Sequence, residues 1–209
     1  MDSGEVCPLP CARIPPLHST IAAAQAEGLA ADAIDRRVWA QHGTTCAMLA
    51  LDSSGMTRVT RAHGIVHFLA RYFQVREVAQ AILAAHGCRT WRSFADNLFA
   101  ELPTADAGLA AALDIHRTVR ERGIMLTADE PYRVCIAVGH GRVLANGAHG
   151  VLGDEMNIVA KLAEDFAGPG DTLLTEAGYA GLTQFPQLAV EKAAFTISRI
   201  AVNGYRVLV

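Results

Sequence analysis

Hydrophobic and polar positions form two kinds of pattern along this chain, one typical of buried strands and one typical of amphipathic helices. A continuous apolar run at residues 46–51 predicts a buried strand that ends at Asp52. After a turn at 53–55, apolar side chains recur every three or four residues from about 57 to 85, which predicts one long helix. Gly87 follows this helix at the position where glycine commonly ends one.

The rest of the pattern adds a hairpin, further helices and further strands. The predicted elements after residue 87 are, in order, strands at 88–95 and 97–102, a helix at 107–122, strands at 132–138 and 142–145, a helix at 157–165, a strand at 172–175, a short helix at 176–182, and C-terminal strands at 189–191, 194–200 and 205–209. We interpret Gly139-His140-Gly141 as a turn between two of these strands. The order β-α-β-β-α-β predicts an α+β fold with a ferredoxin-like core and added strands.

The first 41 residues precede this core and are predicted to contain a proline-rich irregular stretch and a helix. Residues 1–16 are rich in proline and are predicted to be irregular, and residues 19–41 predict one helix in which Gly28 is a weak point. This helix either covers one face of the domain or serves as a regulatory or dimer-forming element. The predicted division is therefore a lead-in at 1–41 and a main domain at 42–209.

The predicted topology brings two carboxylates to one edge of the sheet. With right-handed crossovers, the first strand of the core lies beside the third and runs antiparallel to it. Asp52 ends the first strand, and Asp96 stands at the start of the third. Each aspartate also has a simpler explanation, because Asp52 could cap the next helix and Asp96-Asn97 could form only a hairpin turn.

Two neighbouring carboxylates repel each other unless a proton or cations lie between them. Hard oxygen ligands suit Mg²⁺ or Mn²⁺, and two such ions can support an in-line phosphoryl displacement. The segment Ser54-Gly55-Met56-Thr57 leads directly into a predicted helix, whose free N–H groups favour phosphate. The expected ligand is a nucleoside triphosphate.

Composition excludes several other classes of function. The net charge is −3 and charged residues make up 19% of the chain, so the protein has no excess of positive charge that would favour binding to nucleic acid. No apolar run approaches the roughly 18–20 residues of a membrane span, and the N-terminus lacks the features of a signal peptide. The five cysteines have no zinc-type spacing and are expected to be reduced thiols in a cytoplasmic protein.

Four segments resemble the motifs of the class III nucleotidyl cyclases, the family of adenylate and guanylate cyclase catalytic domains. They are residues 52–57 (DSSGMT), 92–96 (RSFAD), 153–162 (GDEMNIVAKL) and 168–175 (GPGDTLLT). The resemblance spans about residues 44–185 and is strongest to a bacterial stand-alone subset of the family.

The resemblance implies a homodimer with active sites between the subunits and two Mg²⁺ or Mn²⁺ ions in each site. One protomer would hold the metals with Asp52, Ser53 and Asp96. The other would orient the ribose with Asn157 and stabilise the reacting phosphate with Lys161. The implied reaction is attack of the ribose 3′-hydroxyl on the α-phosphate, which forms a 3′,5′-cyclic nucleotide and releases pyrophosphate.

The remaining site residues are also implied by the resemblance. The residues expected at the phosphates are Ser54, Gly55, Met56 and Thr57, with Arg199 as a further triphosphate contact. The base-reading positions of the family fall on Arg92 and Gly150, with His149 next door. Arginine offers only donors, so Arg92 suits a base carbonyl and cannot reproduce the lysine–aspartate pair that reads adenine.

The expected activity is therefore a metal-dependent nucleotidyl cyclase that uses ATP or GTP. One alternative is a UTP or CTP cyclase of a phage-defence type. Another alternative is a pseudo-cyclase that binds nucleotide and regulates a partner, because Lys161 stands where the family usually has arginine. That exchange keeps the charge but removes the bidentate guanidinium.

Overall fold

A computed structural model describes residues 15–208, apart from the side chain of Ala148. Most of the lead-in predicted to be irregular, residues 1–14, lies outside the described residues. The described residues form seven α-helices and an eight-stranded sheet. The helices are α1 (Leu17–Ala26), α2 (Ala31–His42), α3 (Met56–His63), α4 (Ile65–Ala85), α5 (Ala105–Glu121), α6 (Asp154–Lys161) and α7 (Glu176–Ala180). The strands are β1 (Gly43–Ser53), β2 (Thr90–Phe94), β3 (Asn97–Leu102), β4 (Val134–Ala145), β5 (Val151–Leu152), β6 (Thr172–Thr175), β7 (Val190–Ile197) and β8 (Ile200–Val207).

The sheet has the strand order β2-β3-β1-β4-β6-β8-β7, and β5 pairs with the end of β4. Strand β1 lies between β3 and β4 and runs antiparallel to both, as the sequence predicts. Strand β4 is parallel to β6 across a crossover that contains α6. The α+β class and the β-α-β-β-α-β core are confirmed.

The central strand β1 separates two hydrophobic layers because its side chains alternate between the faces of the sheet. Its residues Ala47, Leu49 and Leu51 pack in the layer that contains α4 and α5. Its residues Cys46, Met48 and Ala50 pack in a smaller layer beneath α6. Asp52 follows the second series, so its side chain lies on the α6 side of the sheet.

The predicted turn at Gly139-His140-Gly141 is wrong, because β4 runs through it as one strand. Gly139 and Gly141 pair with residues of β1 in an unbroken antiparallel register. A Cβ atom on Gly139 would lie 2.5 Å from Cγ2 of Val159 on α6. Gly139 therefore allows a helix to pack closely on the strand, and neither glycine reverses the chain.

Two predicted helices are each divided at a glycine with positive φ. The helix predicted at 57–85 is two helices, α3 and α4, which meet at Gly64 with φ 87°. The helix predicted at 19–41 is also two, α1 and α2, separated near Gly28 with φ 72°. Glycine adopts this left-handed conformation without the steric penalty that other residues meet. Neither these helices nor any other within residues 15–208 is long and apolar enough to cross a membrane.

The last third of the chain differs from the prediction in two details. Helix α6 ends at Lys161 and continues as one π-helical turn at Leu162–Phe166. The three C-terminal strands predicted from alternation are two longer ones, β7 and β8, which form a hairpin. The hairpin pairs β8 with β6 and so completes one edge of the sheet.

Candidate active site

Asp52 and Asp96 lie at the same end of two adjacent strands. Asp52 is the penultimate residue of β1, and Asp96 precedes the first residue of β3. The antiparallel register pairs Leu51 with Leu98. Continued by two residues, it places Ser53 opposite Asp96. The meeting of the two aspartates at one sheet edge is therefore a consequence of strand order and register.

The Asp96 turn is held in place by hydrogen bonds from β1 and from the segment before β4. Ala95 has a φ of 53°, an uncommon conformation for a residue other than glycine, and it turns the chain between β2 and β3. The Ser53 hydroxyl donates to the Asp96 carbonyl oxygen at 3.3 Å. The Tyr132 hydroxyl in turn donates to Ser53 Oγ at 2.8 Å. Through its hydroxyl, Ser53 thus fixes the Asp96 turn against β1.

The two carboxyl groups are electrostatically strained in the folded protein. Burial, followed by the charge of Asp96, raises the pKa of Asp52 from 3.8 to about 7. Glu164 and Asp165, in the π-helical turn after α6, raise the pKa of Asp52 further. Burial, together with the charge of Glu164, also raises the pKa of Asp96. Such a site favours a proton or a cation over two free negative charges.

The arrangement fits a divalent cation that is shared with a substrate. Within residues 15–208, no three His, Cys, Asp or Glu side chains converge on one point to hold a metal by themselves. Mg²⁺ is typically bound by one or two carboxylates together with substrate phosphates and water. Asp52 and Asp96 would supply the protein ligands, and a bound triphosphate would supply others.

The raised pKa of Asp52 predicts a pH-dependent effect of Asp52→Asn on stability. Between pH 3.8 and about 7 the unfolded chain releases this proton while the folded protein retains it. The contribution of Asp52 to the free energy of unfolding is therefore present at low pH and is lost as the pH rises through this window. We expect Asp52→Asn to raise the free energy of unfolding by about 1–3 kcal/mol at pH 8 and not to change it below pH 4.

Urea unfolding at the two pH values, without divalent cation, measures this effect. Asp35→Asn is the control, because Asp35 is an exposed residue of α2 remote from the two aspartates. Equal stability of wild type and Asp52→Asn at pH 8 would contradict a strained carboxyl pair.

The loop after Asp52 presents free backbone donors. Gly55 has a φ of 90° and precedes the first residue of α3, so Met56 and Thr57 form the first helical turn. The first helical hydrogen bond runs from the Val59 N–H to the Gly55 carbonyl. The preceding N–H groups of α3 lack helical acceptors and are available to an anion. The Ser54 N–H instead donates to the carbonyl of Arg133 at 3.3 Å.

The base-reading positions predicted at Arg92 and Gly150 are in contact. A Cβ atom on Gly150 would lie 2.8 Å from Nη1 of Arg92, so the guanidinium occupies the space that a side chain at position 150 would fill. His149 is exposed and does not line the cleft that contains these two residues. The cleft does include Glu101, whose pKa is raised by burial and whose Oε1 accepts from the Thr90 hydroxyl at 2.6 Å.

Comparison with solved structures identifies the architecture. An adenylate/guanylate cyclase/hydrolase from Silicibacter pomeroyi aligns with a TM-score of 0.69 and 19% identity, covering 79% of this chain and 97% of that one. The guanylate cyclase domain from Catenaria anguillulae in complex with GTP gives a TM-score of 0.66 at 15% identity, over 78% and 96%. A bacterial light-regulated adenylyl cyclase gives 0.64 at 16% identity, over 79% and 90%. The chain has the class III nucleotidyl cyclase fold. No family model matches the sequence, and no curated protein matches it.

Within the cyclase fold, Asn157 and Lys161 are exposed on one face of α6, four residues apart. Lys161 Nζ lies 3.2 Å from a carboxylate oxygen of Asp165 and 3.6 Å from one of Glu164. Glu164 also accepts a hydrogen bond of 3.3 Å from Asn97, the residue after Asp96. The acidic partners of Lys161 therefore lie beside the Asp96 turn of the same protomer.

Arg199 is separate from residues 54–57 within one protomer, because the β7–β8 turn lies at the opposite end of the sheet. It lies in the β7–β8 turn with a φ of 69° and is exposed. The strand that follows it, from Ile200, lines a cavity with Asp154, Glu155 and Ile158 of α6. A contact between Arg199 and a triphosphate therefore has no support from the geometry of a single protomer of the cyclase fold.

Three features of this site have little signal in the sequence. Tyr132 acts on Ser53 across 79 positions of the chain, a contact that no local pattern encodes. Glu101 lines the cleft that contains Arg92 and Gly150, and only its register opposite Thr90 places it there. Glu164 and Asp165 follow α6 directly, and the π-helical turn that orients them has no recognised sequence signature.

Proposed function

We propose that this protein is a metal-dependent nucleotidyl cyclase. The observation that carries the proposal is the pair of strained carboxyls, Asp52 and Asp96, placed beside the free N–H groups at the start of α3. The aspartates would hold Mg²⁺ or Mn²⁺, and residues 54–57 would bind the phosphates. The resemblance supports a homodimer, in which Asn157 of one protomer orients the ribose at a site whose metal ligands belong to its partner.

The reaction forms a bond between the ribose 3′-oxygen and the α-phosphorus, breaks the bond from that phosphorus to pyrophosphate, and releases the proton of the 3′-hydroxyl to solvent. The divalent cations, when bound, supply Lewis-acid stabilisation of the entering and leaving oxygens. Lys161 would place a positive charge on the phosphate oxygens as charge develops there. Asn157 would hold the ribose by hydrogen bonds, which keeps the 3′-hydroxyl in line for attack.

The positions of Arg92 and Glu101 in one cleft indicate which nucleobase the protein would prefer. Arginine donates hydrogen bonds and Glu101 accepts them when ionised, so the pair suits a base with a carbonyl next to an N–H group. Guanine meets this requirement, whereas adenine has no carbonyl, which favours GTP over ATP. A pyrimidine substrate is the second candidate, because Arg92 already occupies the space beside Gly150 and leaves less room for a purine.

The deciding experiment offers ATP, GTP, CTP and UTP separately to the purified protein, first with Mn²⁺ and then with Mg²⁺. Mass spectrometry identifies the products. We expect one cyclic nucleotide and an equal amount of pyrophosphate. If none of the four triphosphates gives a product while the protein is folded, the pseudo-cyclase alternative replaces this proposal.

Lys161→Arg tests whether the site is built for lysine. A guanidinium at this position would form bidentate contacts with Asp165 or Glu164 and be held away from the substrate. We therefore expect Lys161→Arg to lower kcat roughly tenfold and Lys161→Ala to lower it roughly a hundredfold or more. Steady-state rates with the preferred triphosphate measure both effects.

Lys192→Arg is the matched control, because Lys192 is the other lysine of the chain and is exposed on β7. It should leave kcat unchanged. A large rise in kcat for Lys161→Arg would instead mean that the natural lysine weakens an otherwise ordinary cyclase site.

A further inference from the structure

A cavity of about 530 Å³ lies on the opposite side of the sheet from α6, between α5 and the segment that leads into β4. Its deepest residues are apolar or aromatic and almost fully buried: Val119, Ile124, Tyr132 and Val134. The volume falls in the usual range of small-molecule sites, which is about 300–1,000 Å³. The cavity is distinct from the base cleft and from the aspartate pair, and none of the proposed catalytic residues lines it.

Positive charge surrounds the mouth of this cavity. Arg117, Arg120 and Arg133 all line it. Arg117 is neutralised by Asp114, with 2.8 Å between the groups. Arg120 and Arg133 are exposed, and within residues 15–208 neither forms a salt bridge. Two guanidinium groups are thus available to an anion at the edge of an apolar cavity.

A polar atom without a partner lies in the same wall. His116 Nε2 is buried and has no hydrogen-bond partner in the described part of the chain. Burial lowers the pKa of His116 to about 4, so its imidazole is neutral at physiological pH. Buried polar atoms in folded proteins normally have partners, so His116 Nε2, in the wall of this cavity, is an unusual unpaired polar atom among the described residues.

The cavity is connected to the aspartate pair by a short chain of hydrogen bonds. Tyr132 lines the cavity, and its hydroxyl donates to Ser53. Ser53 in turn donates to the carbonyl of Asp96. The carbonyl of Arg133, at the cavity mouth, accepts from the N–H of Ser54 in the phosphate-binding loop.

We infer that this cavity is an effector site for a small amphipathic anion, with an apolar body against Tyr132 and an acidic group between Arg120 and Arg133. A ligand that orders Tyr132 also orders Ser53 and the Asp96 turn, and so tightens divalent-cation binding by reducing the entropy lost in that step. The binding part of this inference is independent of the proposed function, and the coupling part rests on it.

The binding test uses 8-anilinonaphthalene-1-sulfonate, a fluorescent dye with an aromatic body and one sulfonate. We expect Arg120→Gln and Arg133→Gln each to weaken its binding about tenfold, because each removes a charge-assisted contact. Arg122→Gln is the matched control, since Arg122 is exposed at the same end of α5 and does not line the cavity. The uncharged analogue N-phenyl-1-naphthylamine should bind all four proteins equally.

Equal dye affinity in wild type, Arg120→Gln and Arg133→Gln would overturn the effector site. So would an equal loss of the uncharged analogue, because the arginines would then act through the fold and not through charge.

The coupling test measures Mn²⁺ affinity from the electron paramagnetic resonance signal of the free ion. We expect saturating dye to tighten Mn²⁺ binding about threefold in wild type and to have no effect in Tyr132→Phe, which lacks the hydroxyl. The same Mn²⁺ affinity with and without dye would overturn the coupling. Absence of any Mn²⁺ binding would overturn the proposed metal site and the coupling together, and the dye measurements would still decide the effector site.

Discussion

An Asp96→Ala variant is expected to lose turnover by at least about a thousandfold with every nucleoside triphosphate, and Asp52→Ala is expected to do the same. Each change removes one of the two carboxylates that would hold the cations against the phosphates. The fold should survive, because ionisation of each carboxyl is already unfavourable in the folded protein. Initial rates of cyclic-nucleotide formation, with circular dichroism and gel filtration on the same samples, measure both points.

Asp35→Ala is the control for the aspartate substitutions, because Asp35 is an exposed helical residue outside the site. It should keep the wild-type rate. Full activity in Asp52→Ala or Asp96→Ala would remove the two-carboxylate mechanism. The pair of results also separates a chemical role from a structural one, because the stability of the aspartate variants is expected to rise at pH 8 while their activity disappears.

The sequence predicts the meeting of the two aspartates because that meeting depends only on strand order and antiparallel register. The apolar run before Asp52 identifies a central strand, and the hairpin around Asp96 identifies the neighbour of that strand. Antiparallel pairing then brings the end of one to the start of the other. No side-chain detail is needed, which is why periodicity and topology rules were sufficient for this part of the site.

Three of the differences between the predicted and the observed elements, the absent turn at 139–141 and the two divided helices, involve glycine. Gly139 and Gly141 suggest a turn by local preference, but both lie within β4, and Gly139 permits the close packing of α6 on that strand. Gly64 lies within a helical pattern of apolar residues, and this pattern continues on both sides of it. The pattern depends only on the spacing of apolar residues, so it does not reveal the positive φ of Gly64. A glycine can therefore either permit a turn in the local chain or permit close packing against a distant element. Only the packed structure distinguishes these two roles.

The parts of the site that the sequence did not predict depend on contacts between distant residues. The Tyr132–Ser53 hydrogen bond and the position of Glu101 in the cleft beside Arg92 follow from the assembled sheet. The ion pair between Lys161 and Asp165 joins residues that are close in sequence. Its proximity to the Asp96 turn depends on the assembled fold.

Lys161 could serve the aspartate pair of its own protomer or that of a partner. Glu164, one of the two acidic residues that hold Lys161, accepts a hydrogen bond from Asn97 beside Asp96, which gives the same-protomer route a structural basis. The resemblance to dimeric cyclases supports the other route. The two routes differ in one respect that can be measured, because only the second allows two inactive chains to restore each other.

A mixture of Asp96→Ala and Lys161→Ala chains is therefore expected to regain activity that neither variant shows alone. In a mixed dimer, one site combines the intact aspartates of the Lys161→Ala chain with the intact lysine of the Asp96→Ala chain. The other site lacks both. With random pairing, half of the dimers are mixed and each has one working site, so the recovered rate is about a quarter of wild type.

The mixture must be unfolded and refolded together, or co-expressed with two affinity tags, so that mixed dimers form and can be isolated. An Asp96→Ala and Asp52→Ala mixture is the negative control, because both lesions fall in the same half of the site and neither arrangement restores it. Isolated mixed dimers without activity would exclude the shared site and assign Lys161 to its own protomer. The sites would then be complete within one chain, and Asp165 and Glu164 would hold the lysine beside the metals that it serves.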